Sequence, residues 1–126
     1  MALAAFDRYI AANPTNDGTP HYYRAQTLRA MQRNQEAIDE YNYFIENYPS
    51  HANWVDAWQD KAYLQWSALN DYQGASQTLL DFVTQSPDSS FAPELLMDAA
   101  RIMERDNRLE EAANTWERVA NEYPGV

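Results

Sequence analysis

Arginines that lie near aromatic residues are the side chains of this sequence best suited to recognising a ligand. One predicted helix carries Arg24, Arg29 and Arg33 with no acidic residue between them, and a later helix carries Arg101 and Arg105. A planar guanidinium binds a carboxylate through two hydrogen bonds and also stacks on aromatic rings. This pattern favours a carboxylate-bearing ligand. Acidic residues one helical turn away or on the next helix allow the alternative that the arginines form internal ion pairs.

Catalytic and metal-binding chemistry has little support in the sequence. His21 and His51 stand at predicted helix entrances without a third ligand or any cysteine, so we expect capping or exposed histidines. Asp56 and Asp60 lie one helical turn apart, as expected for acids near the positive end of a helix dipole. We therefore predict no catalytic residue, no metal site and no cofactor. Any catalytic domain would lie outside this chain.

Three tryptophans of the fourth predicted helix allow a second kind of ligand. Trp54, Trp58 and Trp66 fall on one stripe, where exposed indole rings would stack on a sugar. The same spacing is typical of residues that pack a helix into a core. We expect core packing, whereas a tryptophan exposed on a concave face would favour stacking.

Composition limits the partners. Nine basic residues oppose 19 acidic ones, and the formal charge of -10 disfavours binding to nucleic-acid phosphates or anionic lipids. No apolar run approaches the ~18 residues of a membrane helix, so membrane insertion is not expected. Cysteine is absent, which leaves the redox compartment open. The 126 residues, 45% of them hydrophobic, suit one folded domain.

A helical pattern that recurs four times must position these side chains. Each copy has an alanine, a large residue four positions later and a proline twelve positions after the alanine. The prolines follow one another at spacings of 35, 38 and 37, which is typical of stacked helical hairpins. The four copies are Ala2-Phe6-Pro14, Ala37-Tyr41-Pro49, Ala75-Leu79-Pro87 and Ala112-Trp116-Pro124.

Start and stop signals place the helices. They predict helices over about 2–13, 19–33, 34–49, 52–69, 72–86, 91–105 and 107–122. Thr19, Asn34 and Asp71 are the predicted N-caps of the second, third and fifth helices. Asn107 and Glu110 have the spacing of a reciprocal capping box at the start of the seventh.

These residues resemble the signature of the tetratricopeptide repeat, in which two antiparallel helices, A and B, form each repeat. The B-helix positions match best, and Ala25 and Ala100 keep the small residue of helix A. The resemblance implies an all-α, right-handed superhelical solenoid of helical hairpins, with seven helices in a single domain over 1–126. We interpret the chain as a fragment of a longer protein, with the second helix of a truncated repeat (1–14) and three full repeats (19–49, 52–87 and 90–124).

In this family the A helices line a concave groove that holds peptides, so the resemblance implies a non-enzymatic protein-interaction module. The groove positions that the repeat phase assigns are Tyr22, Gln26, Arg29, Tyr63, Met97, Arg101 and Arg105. Arginines among aromatic residues there predict a partner that bears a carboxylate. Repeat ends without an obvious polar cap also predict end-to-end self-association.

The Tyr48-Pro49 and Tyr123-Pro124 endings are similar to those of divergent repeats in bacterial envelope proteins, such as the outer-membrane assembly lipoprotein and soluble lytic transglycosylases. This similarity implies a location in the bacterial cell envelope or periplasm, with the cytoplasm as the alternative. It also leaves a second function open, in which the chain is a structural α-superhelical segment of a larger cell-envelope enzyme.

Overall fold

The computed structural model describes residues 2–125, and these residues form seven α-helices with no strand among them. The all-α class and the helix count are therefore confirmed. The chain divides into two compact units after Lys61, inside the fourth helix. The helices are α1 (Ala2–Ala12), α2 (Thr19–Ala30), α3 (Asn34–Asn47), α4 (Trp54–Ser67), α5 (Tyr72–Gln85), α6 (Ala92–Arg105) and α7 (Leu109–Glu122).

The core of the first unit lies where α2 meets α3. Ala25 on α2 and Ala37 on α3 have no exposed surface, and neither do Leu28, Tyr41 and Phe44. Small residues let two helix backbones approach closely, and bulky neighbours then fill the space around them. The alanine of the repeat pattern thus allows close helix packing, and the large residue fills the space beside it.

α1 carries the same pattern but lies at the surface. None of its residues is buried; Ala2 is exposed and Phe6 is half-buried. Residues 2–125 contain no helix ahead of α1 that could cover Ala2, so this alanine lacks the packing role of Ala37. α1 packs on α2, where Asp7 forms an ion pair with Arg24 at 3.0 Å.

The second unit repeats the packing of the first. α6 packs against both α5 and α7, and the repeat residues Ala75, Leu79 and Ala112 are at most 2% exposed. α6 buries Ala99 and Ala100 completely, and α4 buries Ala62, which is 2% exposed. The predicted positions on α5 and α7 are therefore interior positions. Trp116, the large residue on α7, is half-buried.

Each A-to-B turn contains one residue with a positive φ. These residues are Gln32 (61°), Asn70 (55°) and Asn107 (59°), and they follow the spacing of the last three repeat prolines. A left-handed residue ends a helix and reverses the chain. For this reason α2 stops at Ala30 rather than near residue 33, and α4 stops at Ser67 rather than near residue 69.

The predicted caps are only partly correct. Asp71 caps α5 as predicted, because its Oδ1 accepts the Gly74 amide N–H at 2.9 Å. The capping box at α7 is wrong, since Asn107 occupies the left-handed turn position and cannot also cap the helix. The structure assigns the N-cap positions of α2, α3 and α7 to residues without a capping side-chain hydrogen bond, namely Gly18, Arg33 and Arg108.

The tyrosine of each Tyr-Pro ending packs against the start of its own repeat. Tyr48 lies on Gly18, whose φ is 96°, and a Cβ at Gly18 would come within 2.5 Å of the Tyr48 ring. The Tyr123 hydroxyl donates a hydrogen bond to the Pro87 carbonyl oxygen at 2.8 Å. These tyrosines therefore connect the C-cap of a B helix to the loop before the A helix of the same repeat.

Replacing Gln32 by glycine should raise the free energy of unfolding by about 0.5–1 kcal/mol, because glycine adopts a positive φ without the steric cost of a Cβ. Urea denaturation measures the change. Asn70→Gly is the matched control at the equivalent turn, and its gain should be smaller because asparagine tolerates this conformation. A lower free energy of unfolding for Gln32→Gly than for the wild type would contradict this explanation of the turn.

Candidate functional site

The predicted groove residues of the first unit lie mostly in a polar cluster between α2, α3 and α4. We call Tyr22, Arg29, Tyr41 and Asp60 the Asp60 cluster. The Tyr22 hydroxyl donates to Asp60 Oδ2 at 3.0 Å, and Arg29 Nη1 lies 3.4 Å from Asp60 Oδ1. Tyr22 is only 6% exposed, so it offers little surface to a partner. Gln26 is half-buried.

The helix-dipole interpretation holds for one of the two acids of α4. Asp56 lies in the first turn, where it accepts a hydrogen bond from the Asn53 side chain at 2.8 Å. Asp60 lies one turn further along, and its carboxylate instead binds side chains of α2. The dipole effect fades after the first turn, so the assignment of Asp60 to it was wrong.

Burial dominates the titration of the Asp60 cluster. It raises the pKa of Asp60, while the Tyr22 hydroxyl and the Arg29 guanidinium lower it. Burial, followed by the negative charge of Asp60, also raises the pKa of the Tyr41 hydroxyl to about 12. A half-buried carboxylate that already has a tyrosine and an arginine as partners stabilises the fold rather than binding a ligand. Arg29 is therefore committed to an internal contact.

The second unit places an arginine over a tryptophan. The Arg105 guanidinium carbon lies 4.7 Å from the centre of the Trp66 ring, and Trp66 also stacks on Tyr72 with ring centres 6.3 Å apart. Tyr63, which is 47% exposed, packs edge-to-face with Trp66, with ring centres 5.3 Å apart. We call Tyr63, Trp66, Tyr72 and Arg105 the Trp66–Arg105 site. It unites two of the predicted groove residues.

Arg101 lies on the same exposed side of α6, one turn from Arg105. Its Nη1 donates to Asp98 Oδ1 at 2.7 Å, and its guanidinium carbon lies 5.6 Å from the Trp116 ring centre. Trp116 is itself fixed, because its Nε1 donates to Glu104 Oε1 at 2.8 Å. Met97, the last predicted groove residue, is half-buried on α6. The exposed face of α6 thus has a tryptophan near each of its two arginines.

Internal ion pairs engage most of the arginines, as the alternative interpretation predicted. Arg24 bridges Asp7 and Glu40, each at 3.0 Å. Similar pairs of 2.5 to 3.4 Å hold Arg29, Arg33, Arg101, Arg108 and Arg118. Arg8 and Arg105 are different: no carboxylate within residues 2–125 forms an ion pair with either, and of the two only Arg105 was predicted to line the groove. Since exposed pairs contribute only about 0–1 kcal/mol each, the paired and exposed Arg101 stays available to a stronger ligand.

The two histidines have different structural roles. His51 accepts the Asn53 amide N–H through Nδ1 at 2.9 Å, a hydrogen bond within the turn that precedes α4. His21 is instead buried and binds Glu40 Oε1 through Nδ1 at 2.7 Å. A cleft of about 460 Å³ lies beside this pair, lined by His21, Arg24, Glu36, Asp39, Glu40 and Tyr43.

The three tryptophans of α4 do not share one environment. Trp58 is 5% exposed, as expected for core packing, and the half-buried Trp54 donates from Nε1 to the Ile45 carbonyl oxygen at 2.8 Å. Trp66 lies under Arg105 instead, a contact that sequence reasoning missed. The sequence did contain a signal for this contact. Tyr63 was predicted to line the groove, and residues three apart share a helix face, which places Trp66 on the same face.

No helix within residues 2–125 has the length and apolar character needed to cross a lipid bilayer. The same residues contain no group of three histidine, cysteine, aspartate or glutamate side chains that could hold a metal ion.

Asp60→Asn should become more stable relative to the wild type as the pH rises from about 3 to 7. An acid with a raised pKa in the folded state stabilises the fold below its unfolded pKa and loses that contribution as it ionises. Urea denaturation across this range measures the difference. Glu122→Gln should give the opposite sign, since Arg118 lowers the pKa of Glu122. The same pH trend in both variants would contradict the account of Asp60.

Comparison with known proteins bears on the repeats directly. The family model for the tetratricopeptide repeat matches residues 21–51 and 94–125, which together make up half of the chain. No curated protein matches the chain. The first matched segment covers most of α2 and all of α3, and the second covers most of α6 and all of α7. The helical hairpins and the family match agree, and the chain belongs to the tetratricopeptide repeat family.

Proposed function

We propose that this chain is a non-enzymatic protein-interaction module whose Trp66–Arg105 site binds a carboxylate-bearing peptide. Tetratricopeptide repeats suggest protein partners, and the remaining question is which surface binds them. The observation that carries the proposal is the position of Arg105 over Trp66 at 4.7 Å, without an ion-pair partner among residues 2–125. Arg101, Met97 and Tyr63 extend the same surface.

A carboxylate fits this surface better than a neutral group. The Arg105 guanidinium carbon lies 4.7 Å from the centre of the Trp66 ring, and the guanidinium N–H groups can donate two parallel hydrogen bonds to a carboxylate. Cation–π contacts of this kind contribute about 0.5–1 kcal/mol at exposed sites, enough to orient the side chain before a ligand arrives. The exposed Tyr63 adds apolar surface for a neighbouring peptide side chain.

The Asp60 cluster fits a carboxylate poorly, although it contains two of the predicted groove residues. Asp60 is an acid with a side chain 24% exposed, and it would repel an incoming carboxylate next to Arg29. We therefore place peptide binding on the second unit and leave Tyr22 and Arg29 outside the proposed site.

Arg105→Ala should weaken the binding of an acidic peptide by about 5- to 150-fold, which corresponds to a loss of ~1–3 kcal/mol in binding free energy at a typical hot spot. The probe is a set of fluorescein-labelled peptides that carry glutamates beside a tyrosine, measured by anisotropy. A twin set has every glutamate replaced by glutamine and should bind more weakly to the wild type.

Arg118→Ala is the matched control for Arg105→Ala. It removes the same charge from a half-buried helix position, and Arg118 is bound to Glu122 rather than placed over a ring. Its peptide affinity should equal that of the wild type. Equal weakening by both variants would show that only net charge matters, and no effect of Arg105→Ala would overturn the assignment of this site.

The second candidate function is a structural segment of a larger cell-envelope enzyme. One observation favours it: α1 has no buried residue and keeps Leu3, Phe6 and Ile10 half-buried, as on a helix made to pack against further structure. Such a segment would engage neighbouring parts of its own protein rather than a free peptide. A wild-type chain that binds none of the acidic peptides would favour this second function.

A further inference from the structure

The cleft beside His21 is formed by α2 and α3 alone. It has a volume of about 460 Å³, and the side chains that line it are His21, Arg24, Glu36, Asp39, Glu40 and Tyr43. The four lining residues of α3 lie three or four positions apart and so share one face of that helix. Both helices lie inside the chain, with α1 before them and α4 after them. The cleft is therefore a feature of a single helical hairpin.

A buried histidine presents a nitrogen atom to this cleft. His21 is 8% exposed, and its Nδ1 lies 2.7 Å from Glu40 Oε1. An ionised carboxylate only accepts hydrogen bonds, so Nδ1 donates and a neutral imidazole keeps its lone pair on Nε2. Nε2 has no hydrogen-bond partner among residues 2–125, yet it is not sealed from solvent. It therefore faces the cleft as a hydrogen-bond acceptor without a donor.

Neighbouring side chains hold the imidazole in this position. The ring centres of His21 and Tyr43 lie 4.6 Å apart, and those of His21 and Tyr48 lie 5.6 Å apart. Arg24 Nη1 donates to Glu40 Oε2 at 3.0 Å, which fixes the carboxylate that binds Nδ1. The acceptor is thus oriented before any ligand binds, and an oriented group loses less entropy on binding.

The carboxylates of the cleft differ in whether their oxygen atoms already have partners. Both oxygens of Glu36 bind Arg33, and both oxygens of Glu40 bind side chains of α2. Asp39, which is exposed, accepts from Gln35 through Oδ1 at 3.1 Å, and its Oδ2 has no partner among residues 2–125. The unused acceptors are therefore single atoms on two helices, the histidine Nε2 on α2 and the aspartate Oδ2 on α3.

We infer that this cleft, which we call the His21 cleft, binds a lysine side chain of a protein partner. An ammonium group has three tetrahedral N–H donors, which suit two acceptors on separate helices, whereas the planar guanidinium of arginine suits both oxygens of one carboxylate. The Tyr43 ring, 46% exposed, offers a cation–π contact to the same ammonium group. Three carboxylates against one guanidinium also make the cleft attractive to a cation.

Residues 2–125 do not supply this lysine themselves. Lys61 is the one lysine of the sequence, and it lies on α4 and does not line the cleft. Tetratricopeptide repeats suggest protein partners, and the formal charge of -10 favours association with a basic one. The inference goes beyond the function proposed above, because the His21 cleft and the Trp66–Arg105 site select side chains of opposite charge.

Titration of three short peptides, followed by NMR, tests the inference. The first is a glycine–serine peptide with one central lysine, its twin carries Nε-acetyllysine with the same stem and no charge, and the third carries arginine. At about pH 8, which favours the neutral imidazole, the lysine peptide should shift the amide signals of residues 36–43 in a saturable way. It should bind about fivefold more tightly than the twin or the arginine peptide.

Asp39→Asn should weaken the lysine peptide's binding about fivefold, because it removes the charge and keeps the shape of the side chain. Asp81→Asn is the matched control. Asp81 is exposed on α5 and accepts a hydrogen bond from Gln77, four residues earlier, as Asp39 does from Gln35, but it does not line the cleft. This control should bind the lysine peptide as the wild type does.

Two ring variants test the other contacts. Tyr43→Leu, at an exposed position, should weaken binding about two- to fivefold through loss of the cation–π contact. His21→Phe keeps an aromatic ring beside the tyrosines and removes Nε2, so it should weaken binding as well. Circular dichroism checks that each variant keeps its helix content, and the exposed Asp39 and Tyr43 positions test the site even where His21→Phe unfolds. Arg105→Ala should bind the lysine peptide as the wild type does, which separates this site from the carboxylate site.

Several results would overturn the inference. They are no saturable shift with the lysine peptide, equal affinity for the acetylated twin, or equal losses in Asp39→Asn and Asp81→Asn, which would show that only net charge matters. Tighter binding of the arginine peptide would overturn the choice of lysine. Saturable binding of zinc that His21→Phe abolishes would also overturn it, because the cleft would then be a metal site.

Discussion

The close approach of paired helices at buried alanines is the constraint on which the rest of the structure depends. Ala37, Ala75 and Ala112 are at most 2% exposed, and the A helices bury alanines of their own: Ala25 on α2, Ala62 on α4, and Ala99 and Ala100 on α6. Without large side chains at these positions, the two backbones of a hairpin come close, and the large residue four positions later fills the adjacent space. The same pair of residues, an alanine and a large residue four positions later, thus stabilises helix packing in both units.

This packing also explains how the exposed surface is divided. Because α3 turns one side towards the core, its Asp39 and Tyr43 stay exposed on another side and line the His21 cleft. The A helix α6 keeps the side opposite its core free and places Arg101 and Arg105 there. The residues that pack the helices together and the residues proposed to bind a partner therefore lie on different sides of the same helices.

The sequence predicted the helices well because their signals are local. Prolines and alanines at fixed spacing identify helix ends and packing faces without knowledge of the tertiary structure, and the family match agrees with that interpretation. The A-to-B turns were harder. Asn70 and Asn107 suit a positive φ, but Gln32 gives no such signal, and Asn107 also fits a capping box that the structure does not form.

The environment of each arginine could not be predicted, because it depends on residues far away in the sequence. Arg29 and Arg105 occupy similar predicted groove positions, yet Arg29 contacts Asp60, thirty-one residues later, and Arg105 lies over Trp66, thirty-nine residues earlier. Sequence spacing assigns a side chain to a helix face but leaves its partner on the next helix open. The burial of Tyr22 has the same origin, since its hydroxyl partner is again Asp60.

Urea denaturation of two neighbouring variants on α7 tests the packing account most directly. Ala112 is 2% exposed and faces α6, whereas Ala113 beside it is exposed, so the same substitution meets two different surroundings. Ala112→Leu should lower the free energy of unfolding by about 1–3 kcal/mol through overpacking, and Ala113→Leu should change it by less than about 0.5 kcal/mol. Equal losses in the two variants, or no loss for Ala112→Leu, would contradict the claim that buried alanines set the distance between paired helices.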